Sequence, residues 1–316
     1  MALHVVVGKG AVGSAVAEEL LAGGHQVRLL SRSGGGDVPG AESRAVDATD
    51  ADALCAAATG AAALYNCLNP DYHRWQTDWP PMAAALLAAA ERSGAVLAVT
   101  GNLYGYGDTH GRPLTEATPT RAAGSKGQVR VRMWDDVLAA SAAGLVRAVE
   151  VRGSDYIGPR VLGTAHLGER VIPKVLAGRG VQVLGDPDAP HSFTSVRDVA
   201  RSLVIAAADE RAWGRVWHVP TAPPVSQRAA IGLLCQLAGR PPVTVGRLPW
   251  TVIRAIGLVQ PTMRELQEMR FSLDRPYLLD SSAFTATFGL RPTPTRDALA
   301  ETVAWWRARL ARPAAA

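Results

Sequence analysis

Cysteine is scarce in this chain: three in 316 residues, at Cys55, Cys67 and Cys235. Odd in number and far apart, they form neither a metal-ligand spacing nor a disulfide framework, which fits a reducing cytoplasm. Long apolar runs are also missing. The Ala-rich stretch near 83–99 is cut by Glu91 and Arg92, short of the ~20 residues a membrane span needs. The apolar start is broken by His4, Lys9 and several glycines and has no signal-peptide layout. No dense basic run with interleaved aromatics occurs, so the net charge of +5 comes from scattered arginines. It reads as solubility plus attraction for a phosphorylated cofactor, not as nucleic-acid binding. There is no internal repeat. These absences leave a globular chain without membrane, nucleic acid or metal as partner.

What is present is a hydrophobic share of 48%, enough to build one large α/β domain, or a domain with a smaller lobe. The first thirty-two residues carry the clearest pattern. Leu3–Val7 is β-rich, Gly8-Lys9-Gly10-Ala11-Val12-Gly13 spells G-x-G-x-x-G, Ser14–Leu21 suits a helix, and Gln26–Leu30 is a second strand. A glycine turn between strand and helix near a chain start points to a dinucleotide site. Gly8 allows the tight turn, Gly10 lets backbone approach the pyrophosphate, and Gly13 lets helix and strand pack closely. From Ala11 and Val12 onward, the helix N-terminus offers free N–H groups to the phosphates. An NAD site would place an acid after the second strand for the ribose 2′-OH. Here that strand ends in Ser31-Arg32-Ser33. With no acid to repel a 2′-phosphate, and Arg32 able to fork onto it, NADPH is preferred to NADH.

Strand and helix patterns then alternate: strands at 44–47, 62–67, 96–100 and 145–151, helices at 51–58, 81–93 and 126–140. Gly111–Gly124 reads as a loop. This alternation predicts a doubly wound parallel sheet of Rossmann type. After Ser154 the pattern loosens, returning to helix at 198–208 and 298–310. The expected layout is a nucleotide-binding domain at 1–153 with a returning segment at about 189–215. A smaller substrate lobe, 154–188 and 216–316, interleaves with it.

Further segments resemble the extended short-chain dehydrogenase/reductases of the NAD-dependent epimerase/dehydratase type. Val99-Thr100-Gly101-Asn102-Leu103-Tyr104-Gly105 is similar to the family's serine-rich strand end leading to Val-Tyr-Gly. Pro113-Leu114-Thr115-Glu116 resembles its Pro-x-x-Glu loop. Arg152 followed by Tyr156-Ile157-Gly158-Pro159, and His191 to Ala200 with Val196-Arg197-Asp198-Val199-Ala200, match two more. Phe288 to Pro292, then a helix bearing Trp305 and Trp306, closes the series. The resemblance implies a catalytic Tyr-x-x-x-Lys on the helix after the loop. With Lys126 as the lysine, Ala122 stands where the tyrosine belongs.

The resemblance assigns Thr100 to a substrate carbonyl and Lys126 to the nicotinamide ribose. A free phenol titrates near ~10 and needs a neighbouring cation to work near neutrality. Without one at position 122, three readings stay open: a nearby tyrosine, Tyr104 or Tyr106, is the acid; Lys126 or a water it orients delivers the proton; or the protein binds nucleotide without turnover, as a regulator of the NmrA-like type. A non-redox isomerase or cyclase is a further alternative. The main expectation is an NADP(H)-dependent reductase or epimerase-like enzyme acting on a small carbonyl or enone. Asn66 is expected near the nicotinamide ribose and Asp47 near the adenine. Tyr72, His73, Trp75 and Trp79 read as an aromatic loop that either covers the substrate or forms a hydrophobic plug or dimer contact. Asn102, Tyr106, Tyr156 and His191 are expected at its wall. Asp198 reads as a helix N-cap, Arg130 and Arg132 as solvent-facing. The helices at 81–93 and 126–140 are candidates for a homodimer face.

Overall fold

Valines 5, 6 and 7 set the centre of the molecule. They form strand β1 (Leu3–Val7) and are buried on both faces, as expected of an interior strand in a parallel sheet. The computed structural model describes residues 1–36, 38–163 and 165–311. From β1 the chain runs through α1 (Ala11–Ala22), β2 (Gln26–Ser31), β3 (Glu42–Ala45), α2 (Ala51–Ala58), β4 (Ala61–Asn66), α3 (Trp75–Ser93), β5 (Val96–Asn102), α4 (Ser125–Ala142) and β6 (Ala148–Gly153). It continues through β7 (Asp155–Ile157), α5 (Ile172–Leu176), β8 (Val181–Val183), β9 (Pro190–His191), β10 (Phe193–Ser195), α6 (Val196–Ala208) and β11 (Val216–His218). Then come β12 (Val225–Ser226), α7 (Gln227–Leu237), β13 (Val245–Arg247), α8 (Trp250–Ile256), α9 (Pro261–Glu265), α10 (Arg270–Asp274), α11 (Ser282–Phe288) and α12 (Thr295–Ala311).

Seven strands form one sheet in the order β3-β2-β1-β4-β5-β6-β11, every pair parallel. The alternating side chains of β1 divide between its faces. Val6 packs with Val16 and Leu20 of α1 and Val199 and Leu203 of α6. Val5 and Val7 pack with Leu54 of α2, Leu86 of α3, and Trp134 and Val137 of α4. Strand order reverses between β1 and β4, so the crevice at their carboxyl ends is where such a sheet binds ligands. A third cluster, built on Ile172, Phe193, Leu234, Leu299 and Trp306, forms the core of the smaller lobe.

Several expected boundaries move. The third strand lies at 42–45 instead of 44–47, because the register pairs Arg28 with Glu42 and Ser31 with Ala45. The sixth begins at Ala148, and Leu145 is exposed. The seventh strand lies beyond the expected returning segment: β11 pairs with β6, so the segment that rejoins the sheet reaches His218. The aromatic loop is not a loop. Tyr72–Arg74 forms a 3-10 turn, and α3 starts at Trp75 and runs through Pro80 and Pro81. Burial of Trp75 and Trp79 holds this segment helical despite prolines that remove two backbone donors.

The N-cap of α6 is Ser195, not Asp198. Asp198 is buried and accepts from the Thr293 amide (2.7 Å) and hydroxyl (2.9 Å), tying α6 to the chain before α12. The apolar faces of α3 and α4 pack onto the sheet through Ala85, Leu86, Trp134 and Val137. Among the described residues, no helix is long and apolar enough to cross a membrane.

Candidate active site

The glycine turn is built as its spacing requires. Gly8 has φ +107, and a Cβ there would stand 2.6 Å from the Cys67 carbonyl oxygen. A Cβ on Gly13 would stand 1.8 Å from the Gly8 oxygen. At Gly10 nothing lies within 4 Å of that position, so a ligand can approach the backbone closely. Gly10 caps α1 without a side-chain hydrogen bond, leaving the first amides of that helix for an anion. Gly10, Ala11 and Val12 line the cleft. The arrangement fits a dinucleotide pyrophosphate.

Beyond β2, the Ser31 hydroxyl donates to the Gly35 carbonyl (3.3 Å). Arg32 is exposed and has no hydrogen-bonded or ion-paired partner among the described residues. The Lys9 ammonium donates to the Ser33 hydroxyl (2.7 Å), so a second cation, missed in the sequence although it stands inside the glycine turn, reaches over to this loop. Asp47 is exposed. Its carboxylate accepts from the Thr49 amide and hydroxyl, both at 2.9 Å, and these bonds, with Arg32 nearby, lower its pKa. Asn66 turns back on its own chain, its carbonyl oxygen accepting from the Leu68 amide (3.2 Å). Its neighbours Cys67, Leu68 and Asn69 line the cleft.

The cleft holds about 420 Å³ and continues past the ends of β5 and β6 to Arg160 and Tyr277. Thr100, Asn102, Tyr72, Trp75, Tyr104 and Tyr156 all line it. The Thr100 hydroxyl points to the Cys67 sulfur (3.7 Å), Tyr156 donates to the Gly101 carbonyl (3.0 Å), and the Tyr72 and Tyr104 hydroxyls share a hydrogen bond. Burial raises the pKa of both Tyr104 and Tyr156, so they are neutral phenols near pH 7. Two expected wall residues lie elsewhere. Tyr106 is buried, bonded to His218 (2.7 Å) and packed among Leu103, Leu114 and Tyr277. His191 is buried behind the wall, its Nε2 2.7 Å from Asp155. It is Asp155 that faces the cleft. Neither Asp155 nor Tyr277 was found from the sequence. The only signal for Asp155 was its place inside the segment from Arg152 to Pro159.

Lys126 is 1% exposed, and its ammonium is ion-paired with Glu265 and, at 3.3 Å, with Glu268. Glu268 also accepts from the Lys126 amide (2.8 Å) and the Ser125 hydroxyl (3.0 Å), and so caps α4. Ala122 precedes α4 and shares no helical turn with Lys126. The residue one turn along is Arg130. It does not face solvent: it is 5% exposed, lines the cleft, donates to the Thr100 carbonyl, and lies 3.3 Å from Glu150. Glu150 also pairs with Arg152 at 2.6 Å, and this buried carboxylate offsets the charge that burial of Arg130 would otherwise leave unmatched.

The model of the NAD dependent epimerase/dehydratase family matches residues 4–219. Solved structures align along nearly the whole chain. A dTDP-glucose 4,6-dehydratase from Bacillus anthracis str. Ames in complex with NAD is 15% identical with TM-score 0.79, covering 98% of this chain and 97% of that one. A UDP-glucose 4-epimerase from Thermotoga maritima with UDP-glucose is 16% identical with TM-score 0.79, covering 98% and 99%. A dTDP-glucose 4,6-dehydratase double mutant from Streptomyces venezuelae with NAD bound is 19% identical with TM-score 0.76, covering 97% of each. At these identities the likeness is one of fold. No curated protein matches the chain.

Proposed function

The chain belongs to the NAD dependent epimerase/dehydratase family, and from that premise we propose that it is an NADP(H)-dependent reductase or epimerase-like oxidoreductase acting on a small organic carbonyl or enone. One observation carries this reading: a single cleft joins the glycine turn at Gly10–Val12 to Thr100 and Tyr156 at the far strand ends. A nicotinamide held there supplies or accepts hydride. The backbone of Gly8, Gly10 and Gly13 and the start of α1 would hold its pyrophosphate. Lys9, Ser31, Arg32 and Ser33 would surround the 2′-phosphate, with Asp47 toward the adenine and the Asn66 turn toward the second ribose. The two dTDP-glucose 4,6-dehydratase structures above contain NAD. The two cations at this loop favour NADP here, because a phosphate dianion gains charge-assisted bonds that a ribose hydroxyl does not.

Thr100 would polarise the substrate oxygen, with Asn102 and the neutral phenols of Tyr104 and Tyr156 as donors around it. The family's pair sits one helical turn apart. Lys126 and Arg130 are the basic residues on α4 with that relation, so a lysine would stand in the place of the tyrosine and an arginine in that of the lysine. Release of Lys126 from Glu265 and Glu268 would bring its ammonium to bear on the cleft. The sealing of Lys126 by two carboxylates also favours a second reading, a nucleotide-binding sensor without turnover.

Titration calorimetry of NADPH and NADH with the wild type and Arg32→Ala tests the cofactor assignment. NADPH should bind more tightly, and the variant should lose about tenfold or more for NADPH alone. Equal binding of both nucleotides refutes the assignment. Consumption of NADPH across aldehydes, ketones and enones would eliminate the sensor.

A further inference from the structure

The end of the cleft away from the glycine turn is rich in acceptors and rings. Asp155, the first residue of β7, presents a carboxylate there, 22% exposed. His191 at the end of β9 lies 2.7 Å from one carboxylate oxygen, and His166 lies 3.5 Å from the other. Neither imidazole lines the cleft. Burial pushes the Asp155 pKa up, but the two imidazoles outweigh it and hold the group at about 2. Burial also pushes His166 down to about 4. Near neutrality, Asp155 is an anion and His166 is uncharged. The Asp155 charge acts on the phenols of Tyr104, Tyr156 and Tyr277. The Tyr277 hydroxyl is buried against this wall with no hydrogen-bond partner. The rings of Tyr72, Trp75 and Tyr104 meet at centroid distances of 5.1–6.3 Å. The guanidiniums in the wall are already matched, Arg130 by Glu150 and Arg160 by Glu18.

We infer that this end of the cleft binds a positively charged nitrogen, an ammonium or iminium on a ring-sized substrate, with Asp155 as its counter-charge and Tyr72, Trp75 and Tyr104 as its aromatic walls. A buried carboxylate beside ring faces is the chemistry that recognises such a cation. Where the charged nitrogen is an iminium, hydride adds at its carbon and leaves a neutral amine with no proton to be supplied, in keeping with the upward-shifted phenols of Tyr104, Tyr156 and Tyr277. Asp155, His166 and His191 hold their ligand atoms within 4.8 Å of one another, a grouping that a divalent metal can also use. The hydrogen bond already made between His191 and Asp155, the positive charge of Arg170 beside His166, and the opening of Asp155 to the cleft favour the organic cation. The inference names the substrate class of the proposed oxidoreductase and rests on the cleft being its substrate site.

The test uses two probes of one shape, 4-(trimethylammonio)phenol and 4-tert-butylphenol, titrated into the full chain with and without saturating NADPH. The charged probe should bind at least about tenfold more tightly. Asp155→Asn should abolish that preference while NADPH affinity holds. Equal binding, or preference for the neutral probe, overturns the inference. Stoichiometric Zn²⁺ binding that displaces the charged probe also overturns it, by assigning the cluster to a metal. Should Asp155→Asn fail to fold, the wild-type pair of titrations decides alone. Absent NADPH binding would refute the cofactor reading, and the charge preference measured without nucleotide would still decide this one.

Discussion

Glu150→Gln is the sharpest probe of how the cleft floor is held. Glu150 is 1% exposed and lies between Arg130 and Arg152, each 5% exposed. Its two oxygens serve different partners, Oε1 toward Arg130 at 3.3 Å and Oε2 toward Arg152 at 2.6 Å. The substitution keeps the volume and removes the charge. Two buried guanidiniums then face each other with no anion between them. Arg130 keeps its bond to the Thr100 carbonyl and Arg152 its stack on the Tyr106 ring, but neither carries a negative charge. Breaking a buried ion pair from one side costs about 3–5 kcal/mol. For a chain of this length that lowers Tm by about 5–8 °C. Urea unfolding and calorimetric Tm read the effect directly. A change below about 0.5 kcal/mol would refute the reasoning, since it would mean the guanidiniums are solvated and the carboxylate is not their partner. Because Arg130 holds the Thr100 backbone, the same variant should also weaken probe binding in the cleft more than NADPH binding at the glycine turn.

Gly13→Ala should remove detectable NADPH binding and cost about 2–3 kcal/mol, because the added methyl meets the Gly8 oxygen at 1.8 Å; normal calorimetric binding would count against the turn as described. Glu268→Ala removes a partner of Lys126 and the cap of α4 together, so stability should fall by about 1–2 kcal/mol, and limited trypsin digestion should cut faster at Arg264 and Arg270. The pH response should include His4. Burial, then neighbouring His25, hold its imidazole at about 4, below its unfolded value near ~6.5. Protons therefore bind the unfolded chain more readily, and the stability tied to His4 is complete above pH ~6.5 and lost as pH falls toward 4, by at most about 3 kcal/mol. Tm measured at pH 7.5 and 5 should fall less in His4→Gln than in the wild type, and equal falls would remove His4 from the account.

What was legible in the sequence was local. The strand, turn and helix of residues 3–22 follow from adjacent valines and three spaced glycines, each acting on its immediate neighbours. The cleft wall at Thr100, Asn102 and Tyr104 follows from the strand end that bears it. What was not legible depends on distant pairing. Arg130 looks like a solvent residue until Glu150, on another element, is placed beneath it. Lys126 meets partners 139 and 142 residues away, on a segment with no pattern tying it to α4. His191 was recognised as close to the site, but Asp155, 36 residues before it, is the group that faces the cleft. Trp75 and Trp79 were read as part of a loop, whereas burial of their rings in the fold holds that segment helical.

The charges around the cleft follow one rule. Each cation in its wall is met by a carboxylate, Arg130 by Glu150 and Arg160 by Glu18, and Lys126 outside the lining is met by Glu265 and Glu268. Asp155 is the lining carboxylate matched only by imidazoles, one of them held neutral by burial. A carboxylate in a desolvated wall that faces no ammonium or guanidinium gains free energy when a cation binds beside it. A phosphorylated or carboxylated substrate head would be repelled by that wall, and the neighbouring guanidiniums are already occupied. A nucleoside diphosphate sugar, which needs free cations for its two phosphates, is thus a poor match for this end of the cleft, although the solved relatives of the same fold include enzymes named for such sugars. The fold positions a nucleotide at the glycine turn; the side chains beyond Thr100 decide what meets it, and here they select by positive charge and aromatic surface.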